Sequence, residues 1–514
     1  MPVAGTTTLG GEIKATNRAG PASAPAVESN AFMKLGTHCA VLGAALLHCG
    51  MAASGAALPG DSPRPNVLFL FSDDQRFDTI AALGNSHIRT PNLDRLSREG
   101  TTFTRAYIMG GLQGAVCMPS RAMLMSGRTL FRIKENLAGQ ATWPEEFGRN
   151  GYATFITGKW HNEAPSLLRS FAQGKAVFLG GMGNPYKLPL QDISPEHTLI
   201  NKRTSGEHSV KLFADAAIEF LKRQKGDKPF LCYVAFNCPH DPRIAPKSYH
   251  DYYNAHKPPS PPNFLPEHPF NNGEMTIRDE QLAPWPRTPE VVRQNLADYY
   301  SYITFMDDQI GRILKALKDS GQYDKTIILF SSDNGLAIGS HGLFGKQNLY
   351  DHATHEPLIF DGPGIPKERQ SDAFCYLFDI FPTLGDFCSV PAPEGSEGRS
   401  LAPLIRGGAA SAGRDSIFTA YRGLQRAVRD DRWKLIVYTH INKTQLFDLQ
   451  NDPVEMRDLA DDPKHAGGLE RLTGMLRNWQ HQLGDTQALT TNKPEPLAFD
   501  FSKVKRDKKA KAIE

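Results

Sequence analysis

Four polar clusters in this 514-residue chain stand directly after short apolar runs, and a fifth surrounds a cysteine. Asp73-Asp74 follows Val67 to Phe71, and Gly158-Lys159-Trp160-His161 follows Tyr152 to Ile156. Cys238-Pro239-His240 follows Phe230 to Phe236, and Asp333-Asn334 follows Thr326 to Phe330. The side chains of Asp73, Asp74, Asp333 and Asn334 are hard oxygen donors, which suit Ca²⁺ or Mg²⁺ and do not favour zinc. Each acidic pair has a second reading, since aspartates also cap helices and close turns. Cys117-Met118-Pro119-Ser120-Arg121 precedes Ser126-Gly127-Arg128. Pro119 suits the first turn of a helix, where orphan N–H groups favour an anion, and Arg121 falls one turn along on the cysteine's face. That setting predicts a partly exposed, electropositive thiol, either reactive or merely structural. Taken singly, His161, His240, Lys159 and Lys346 are no different from packed or surface residues.

The apolar runs explain how such clusters would meet. Val67 to Phe71 is bounded by Pro65 and the acidic pair, as a buried strand is, and Leu358 to Phe360 has the same form. Helical spacing predicts helices over Asn92 to Glu99, Ser120 to Met125, Val210 to Arg223 and Val291 to Lys318. Alternation of this kind makes an α/β fold, a mainly parallel mixed sheet sandwiched by helices. Ligands of such sheets bind beyond the carboxyl ends of the strands, so four strand-end clusters should share one edge. From about Asp415 the rhythm shortens to strands at Ser416 to Tyr421, Leu424 to Val428, Trp433 to Tyr438 and Gln445 to Asp448. A helix over Leu469 to Leu483 completes a smaller antiparallel C-terminal sheet plus helix. The segment Lys257 to Pro289 is rich in proline and without period, either a wall over the site or a passive surface loop.

Composition narrows the class. Hydrophobic residues make up 40% and charged residues 22%, enough for a large core. Lys and Arg total 58 against 55 Asp and Glu, a net charge of +3 that argues against a nucleic-acid binder. Residues 1–32 read as a disordered extension, and residues 33–57 as a signal peptide for export to the periplasm or beyond the cell, with no stable membrane span. Residues 58–410 would form the catalytic domain, 411–490 the C-terminal subdomain and 491–514 a basic tail. Cys232, Cys238, Cys375 and Cys388 could pair in an oxidising compartment, which spacing alone does not show.

The Cys-x-Pro-Ser-Arg sequence with its following Gly-Arg resembles the motif of the type I sulfatases, members of the alkaline phosphatase-like superfamily. Further segments are similar to that family in its own order. They are Asn66 to Asp74, Thr90 to Leu96, Thr157 to His161, Pro239-His240, Ser332 to Gly335, and His341-Gly342 leading to Gly345-Lys346. Asp351 stands where relatives often have Glu. His240-Asp241-Pro242-Arg243 resembles the choline and iduronate sulfatase-like bacterial subgroup. The resemblance implies that a formylglycine-generating enzyme oxidises Cys117 to formylglycine. It implies a cation, usually calcium with Mg²⁺ as the alternative, held by Asp73, Asp74, Asp333, Asn334 and the hydrated aldehyde of residue 117. That hydrate would attack sulfur while Lys159, His240 and Lys346 hold the sulfate oxygens. His240 or Lys346 would protonate the leaving alkoxide, His161 would serve as base when sulfate is expelled, and Arg121 would orient the diol. The implied function is a sulfuric ester hydrolase acting on a sulfated carbohydrate, in a pocket shaped in part by Arg243. The alternatives are a phosphate or phosphonate ester hydrolase of the same superfamily, or a non-catalytic sugar-binding relative. Gln75, Arg76, His341 and Gln347 lie close to the motifs without an assigned part.

Overall fold

Val67 to Phe71 carries an apolar side chain at every position, and a strand of that kind needs cover on both faces. The computed structural model describes residues 64–226, 228–408 and 413–504. In it this run is the middle of a fully buried strand, β1 (Asn66–Asp73). Val67, Phe69 and Phe71 enter one apolar core while Leu68 and Leu70 enter another, as the two-residue period of a strand requires. The expected extension, the signal-peptide pattern and the tail beyond 504 lie outside the described residues. Among the described residues no helix is long and apolar enough to cross a membrane.

Along the chain β1 is followed by β2 (Thr101–Tyr107), β3 (Gly110–Gly111), β4 (Ala153–Lys159), β5 (Gln173–Phe178), β6 (Pro189–Ile193), β7 (Leu199–Thr204) and β8 (Phe230–Pro239). Then come β9 (Thr326–Ser332), β10 (His355–Asp361), β11 (Arg369–Ser371) and β12 (Cys375–Tyr376). The large sheet has the order β11-β2-β10-β9-β1-β8-β4-β5-β6-β7, with β12 beside β2. Strands β9, β1, β8, β4 and β5 are mutually parallel, while β10 runs against both β9 and β2. This is the mainly parallel mixed sheet that the alternation predicts. Helices Pro91–Glu99, Ser209–Arg223 and Pro289–Asp319 cover one face through Leu93, Leu96, Phe213, Phe220, Ile310 and Leu314. Trp143, Phe147, Leu167, Phe381 and Leu384 fill the other. Strands β5 to β7 have no counterpart in the apolar runs. They close one end of the sheet, and β7 is exposed at five of its six positions, so nothing there demands a continuous apolar stretch.

The second sheet has the order β16-β15-β14-β13-β3, from β13 (Ile417–Tyr421), β14 (Gln425–Arg429), β15 (Trp433–Tyr438) and β16 (Lys443–Asp448). It differs from the expectation in one respect. Its fifth strand, β3, comes from just before Cys117 and pairs parallel with β13. Gly110 permits that pairing, because a Cβ there would stand 2.0 Å from the carbonyl oxygen of Ala420. The helix Ala466–Leu483 packs on one face through Leu472 and Leu476, while Ile436, Tyr438 and Phe447 join the main core on the other.

A buried ionic cluster ties the two sheets together. Asp351 accepts from Arg429 at 2.6 Å, Lys434 at 2.7 Å and the Tyr107 hydroxyl at 3.0 Å, and Lys434 also pairs with Glu455 at 2.6 Å. Removing one member of such a cluster strands buried charge without a partner, at a cost of about 3–5 kcal/mol. Asp351→Ala is therefore expected to lower the free energy of unfolding by that amount in urea titrations; a loss under about 1 kcal/mol would show that the cluster contributes little.

Cys117, Cys232, Cys238, Cys375 and Cys388 are all buried and free, so the disulfides that an oxidising compartment would allow do not form among the described residues.

Candidate active site

Because β9, β1, β8 and β4 are adjacent and parallel, their carboxyl ends open on one edge. That edge gathers Asp333 and Asn334 after β9, Asp73 and Asp74 at the end of β1, His240 after β8 and Lys159 at the end of β4. Local backbone features aim these groups. Gly158 has φ +95° and lies against the Ala235 carbonyl oxygen, 1.9 Å from where a Cβ would be, and the β4 register shifts at this point. Asp74 and His161 also have positive φ, 66° and 72°, a conformation that non-glycine residues adopt at a cost and that clusters at functional sites. The helix Cys117–Ser126 brings Cys117 at its first residue and Arg121 one turn on.

Cys117 Sγ lies 3.3 Å from Asp73 Oδ1 and 3.3 Å from Asp74 Oδ1. Lys346 Nζ lies 2.7 Å from the same sulfur and 2.5 Å from Asp74 Oδ1. Lys159 Nζ donates to Asp73 Oδ2 at 2.6 Å. Arg121 donates from Nε to Asp333 Oδ2 at 2.8 Å and from its terminal nitrogen to the Lys159 carbonyl at 3.1 Å. The Asn334 amide donates to Asp74 Oδ1 at 2.6 Å, and its oxygen is buried with no partner. His240 Nε2 stands 3.6 Å from Asp74 Oδ2, and its Nδ1 donates to the Asp241 carbonyl at 2.9 Å. Ligand atoms of Asp73, Asp74, Cys117 and Asp333 all lie within 4.8 Å of one another. Three carboxylates converging in a buried place, beside an asparagine whose amide oxygen is buried without a partner, fit a hard divalent cation.

The electrostatics express the same crowding. Burial, then the Asp333 charge, pushes the Asp73 carboxyl up to about 7. For Asp74 burial works upward, but Lys346 and Lys159 outweigh it and hold the group below its usual range. Burial, then Asp333 and Asp74, drives the Cys117 thiol well above its ordinary value. This corrects the expectation of a partly exposed, electropositive thiol: residue 117 is 1% exposed, and its partners include two carboxylates. A thiol so placed is a poor nucleophile. Burial and then Lys159 push His161 down to about 2, so its imidazole is neutral, and its Nδ1 has no hydrogen-bond partner.

The pocket above this cluster, about 270 Å³, is lined by Cys117, His161, His240, Lys346 and Gln347 together with Gly114, Ala115, Gly181 and Met182. Ile277, Arg278 and Asp279 complete it, so the proline-rich segment is a wall of the site. Three other residues near the motifs take different places. His341 stacks on Tyr350 at 3.9 Å and bonds Asn263, away from the pocket lining. Arg76 pins the chain after β9 through the carbonyls of Leu336 and Ala337. Arg243, expected to shape the pocket, bonds Asn295 and lies over the Tyr299 ring. Sequence reasoning also passed over Tyr299, whose hydroxyl donates to the Asp74 carbonyl at 2.5 Å and accepts from the Arg76 N–H at 2.9 Å. No motif surrounds it; only its place on the long helix brings it there.

A strand-end cluster of carboxylates and cations beneath an open pocket defines a hydrolase site for an anionic ester. Residues 65–389 match the sulfatase family model, and residues 339–482 match that of the N-sulphoglucosamine sulphohydrolase C-terminal region. The chain belongs to the sulfatase family. It is 26% identical to the N-acetylglucosamine-6-O-sulfatase of Bacteroides thetaiotaomicron, over 83% of this chain and 88% of that one. It is 27% identical to the choline-sulfatase of Rhizobium meliloti, over 78% and 83%. Its fold matches the solved structure of BT4656 in complex with its substrate D-glucosamine-2-N,6-O-disulfate, with a TM-score of 0.71, 24% identity and coverage of 83% and 99%.

Proposed function

We propose that this sulfatase removes sulfate from a sulfated carbohydrate, with residue 117 as formylglycine and a divalent cation, calcium in first place, held by Asp73, Asp74, Asp333 and Asn334. The observation that carries this is the placement of residue 117, within 3.3 Å of two carboxylates and 2.7 Å of a lysine at the mouth of a helix. A hydrated aldehyde there supplies a nucleophilic hydroxyl for sulfur and a second hydroxyl for release of sulfate, and the cation supplies positive charge. The thiol does neither well, being buried and driven far toward its protonated form. Burial of residue 117 also accords with oxidation by a formylglycine-generating enzyme while the chain is unfolded.

The remaining steps belong to this chain's own residues. Lys159 and Lys346 bring two ammonium groups against the carboxylates, where they bind sulfate oxygens and spread the charge that develops in the transition state. Arg121 is anchored on Asp333 and orients residue 117 from the same helix. His240 has Nδ1 committed to the Asp241 carbonyl, which aims Nε2 at the reacting group. Lys346 and His240 are the two candidates to protonate the leaving oxygen. Burial and then Lys346 hold the His240 pKa well below its ordinary value. With Nδ1–H spent on the Asp241 carbonyl, His240 carries a proton on Nε2 only as imidazolium, and Lys346 is the readier donor. His161 lines the pocket with an unpartnered Nδ1 and takes the proton when sulfate is expelled. Its pKa, held low by burial and then Lys159, makes it a weak base until the negative charge of bound sulfate offsets that lysine. A sulfated sugar is favoured as substrate because N-acetylglucosamine-6-O-sulfatase is among the relatives. The enzyme would work outside the cytoplasm, on the signal-peptide pattern of residues 33–57.

Mass spectrometry of the peptide containing residue 117, from protein made in its native host, tests this. Conversion lowers the peptide mass by about 18 units, since SH and H give way to one carbonyl oxygen. Unmodified thiol throughout would remove the nucleophile and the proposal with it.

A further inference from the structure

Three consecutive side chains of the proline-rich wall, Arg278, Asp279 and Glu280, each grip a neighbour of a group placed in the chemistry above. Arg278 pairs with both carboxylate oxygens of Asp241, the residue whose carbonyl accepts from His240 Nδ1. Asp279 accepts from Gln347 Nε2 at 2.8 Å, and Gln347 in turn accepts from the Lys346 N–H at 3.0 Å and donates to the Gly114 carbonyl at 2.8 Å. Glu280 accepts from the backbone N–H of Phe344 at 2.9 Å and of Gly345 at 2.7 Å, the two residues directly before Lys346. Packing at this point has no slack. A Cβ on Gly345 would stand 2.3 Å from Gln347 Oε1 and 3.1 Å from Glu280 Oε1. Residues 333–350, which carry Lys346, contain no helix or strand, so their shape depends on such side-chain bonds.

We infer that Arg278, Asp279 and Glu280 are positioning residues that set the aim of His240 and Lys346 toward the leaving oxygen. This rests on the assignment of His240 and Lys346 as proton sources. Charge-assisted bonds to backbone N–H groups are about twice as strong as neutral ones, so Glu280 fixes the Lys346 main chain more firmly than an amide or a water would. A donor displaced by about 1 Å loses up to about 10²-fold in rate. The loss should grow as the leaving group becomes a poorer one, because an acidic phenol departs with little help from a proton donor.

The test compares 4-nitrophenyl sulfate with phenyl sulfate, whose phenol is the weaker acid, in purified full-length enzyme. Glu280→Ala and Arg278→Ala are expected to lower kcat on phenyl sulfate at least about 10-fold, and on 4-nitrophenyl sulfate less than about threefold. Glu280→Gln keeps Oε1 for both N–H groups but loses the charge and the ion pair with Arg287, so its kcat on phenyl sulfate should fall between that of the parent and that of Glu280→Ala. Should Glu280→Ala fail to fold, Arg278→Ala carries the same comparison, since that side chain is 36% exposed. Equal losses on the two esters, or Glu280→Gln as poor as Glu280→Ala, would overturn the inference. A Cys117→Ala control separates the two levels. If it is inactive while Arg278→Ala and Glu280→Ala match the parent on both esters, only the inference falls; if it is active, the assignment beneath it falls.

Discussion

Replacing Cys117 by alanine is expected to lower kcat on 4-nitrophenyl sulfate by about 10⁴-fold or more, the scale seen when a hydrolase loses its covalent nucleophile. The reason is local. Lys159, Lys346 and Arg121 already converge on the carboxylates of Asp73, Asp74 and Asp333, so binding and charge stabilisation survive the change. What disappears is the only side chain of helix Cys117–Ser126 that reaches both Asp73 and Asp74 at 3.3 Å. Alanine preserves the helix and needs no hydrogen-bond partner, so the variant should unfold at the parent's temperature. Activity above about one part in a hundred of the parent would show that water, and not residue 117, attacks the ester.

Stripping divalent cations is the second change with a large expected effect. Asp73, Asp74 and Asp333 are buried together, and burial with the Asp333 charge already pushes Asp73 up to about 7. A dication at these oxygens would offset that repulsion and satisfy the orphaned Asn334 oxygen. Chelation should therefore abolish turnover, and calcium should restore it. It should also weaken the fold, because a ligand held at 100 times its dissociation constant adds about 2.7 kcal/mol to the free energy of unfolding. Thermal unfolding of the parent enzyme with and without chelator reads this apart from activity. Identical melting curves would mean that the cluster holds no cation, leaving Lys159, Lys346 and Arg121 as its sole counter-charges.

Much of the molecule was legible in its residues. The runs at β1, β4, β8 and β9 announce themselves because a strand covered on both faces must be apolar throughout. Parallel neighbours of that sort put their carboxyl ends on one edge, which is why Asp73, Asp74, Lys159, His240 and Asp333 meet. The polar strand β7 left no such trace, since its side chains face water. Nor did β3, two glycines long, whose pairing depends on a partner more than 300 residues away.

Chemical character along the chain by itself determined the parallel sheet, the edge at which ligands bind, and the residue types gathered there. Those follow from burial and from strand direction, which act on segments. Tertiary structure alone decided that Cys117 is buried against carboxylates, that His341 stacks on Tyr350 and Arg243 lies over Tyr299, and that Arg278, Asp279 and Glu280 bond Asp241, Gln347 and the chain before Lys346. Each of these depends on contacts between side chains far apart in sequence, and no local period encodes such contacts.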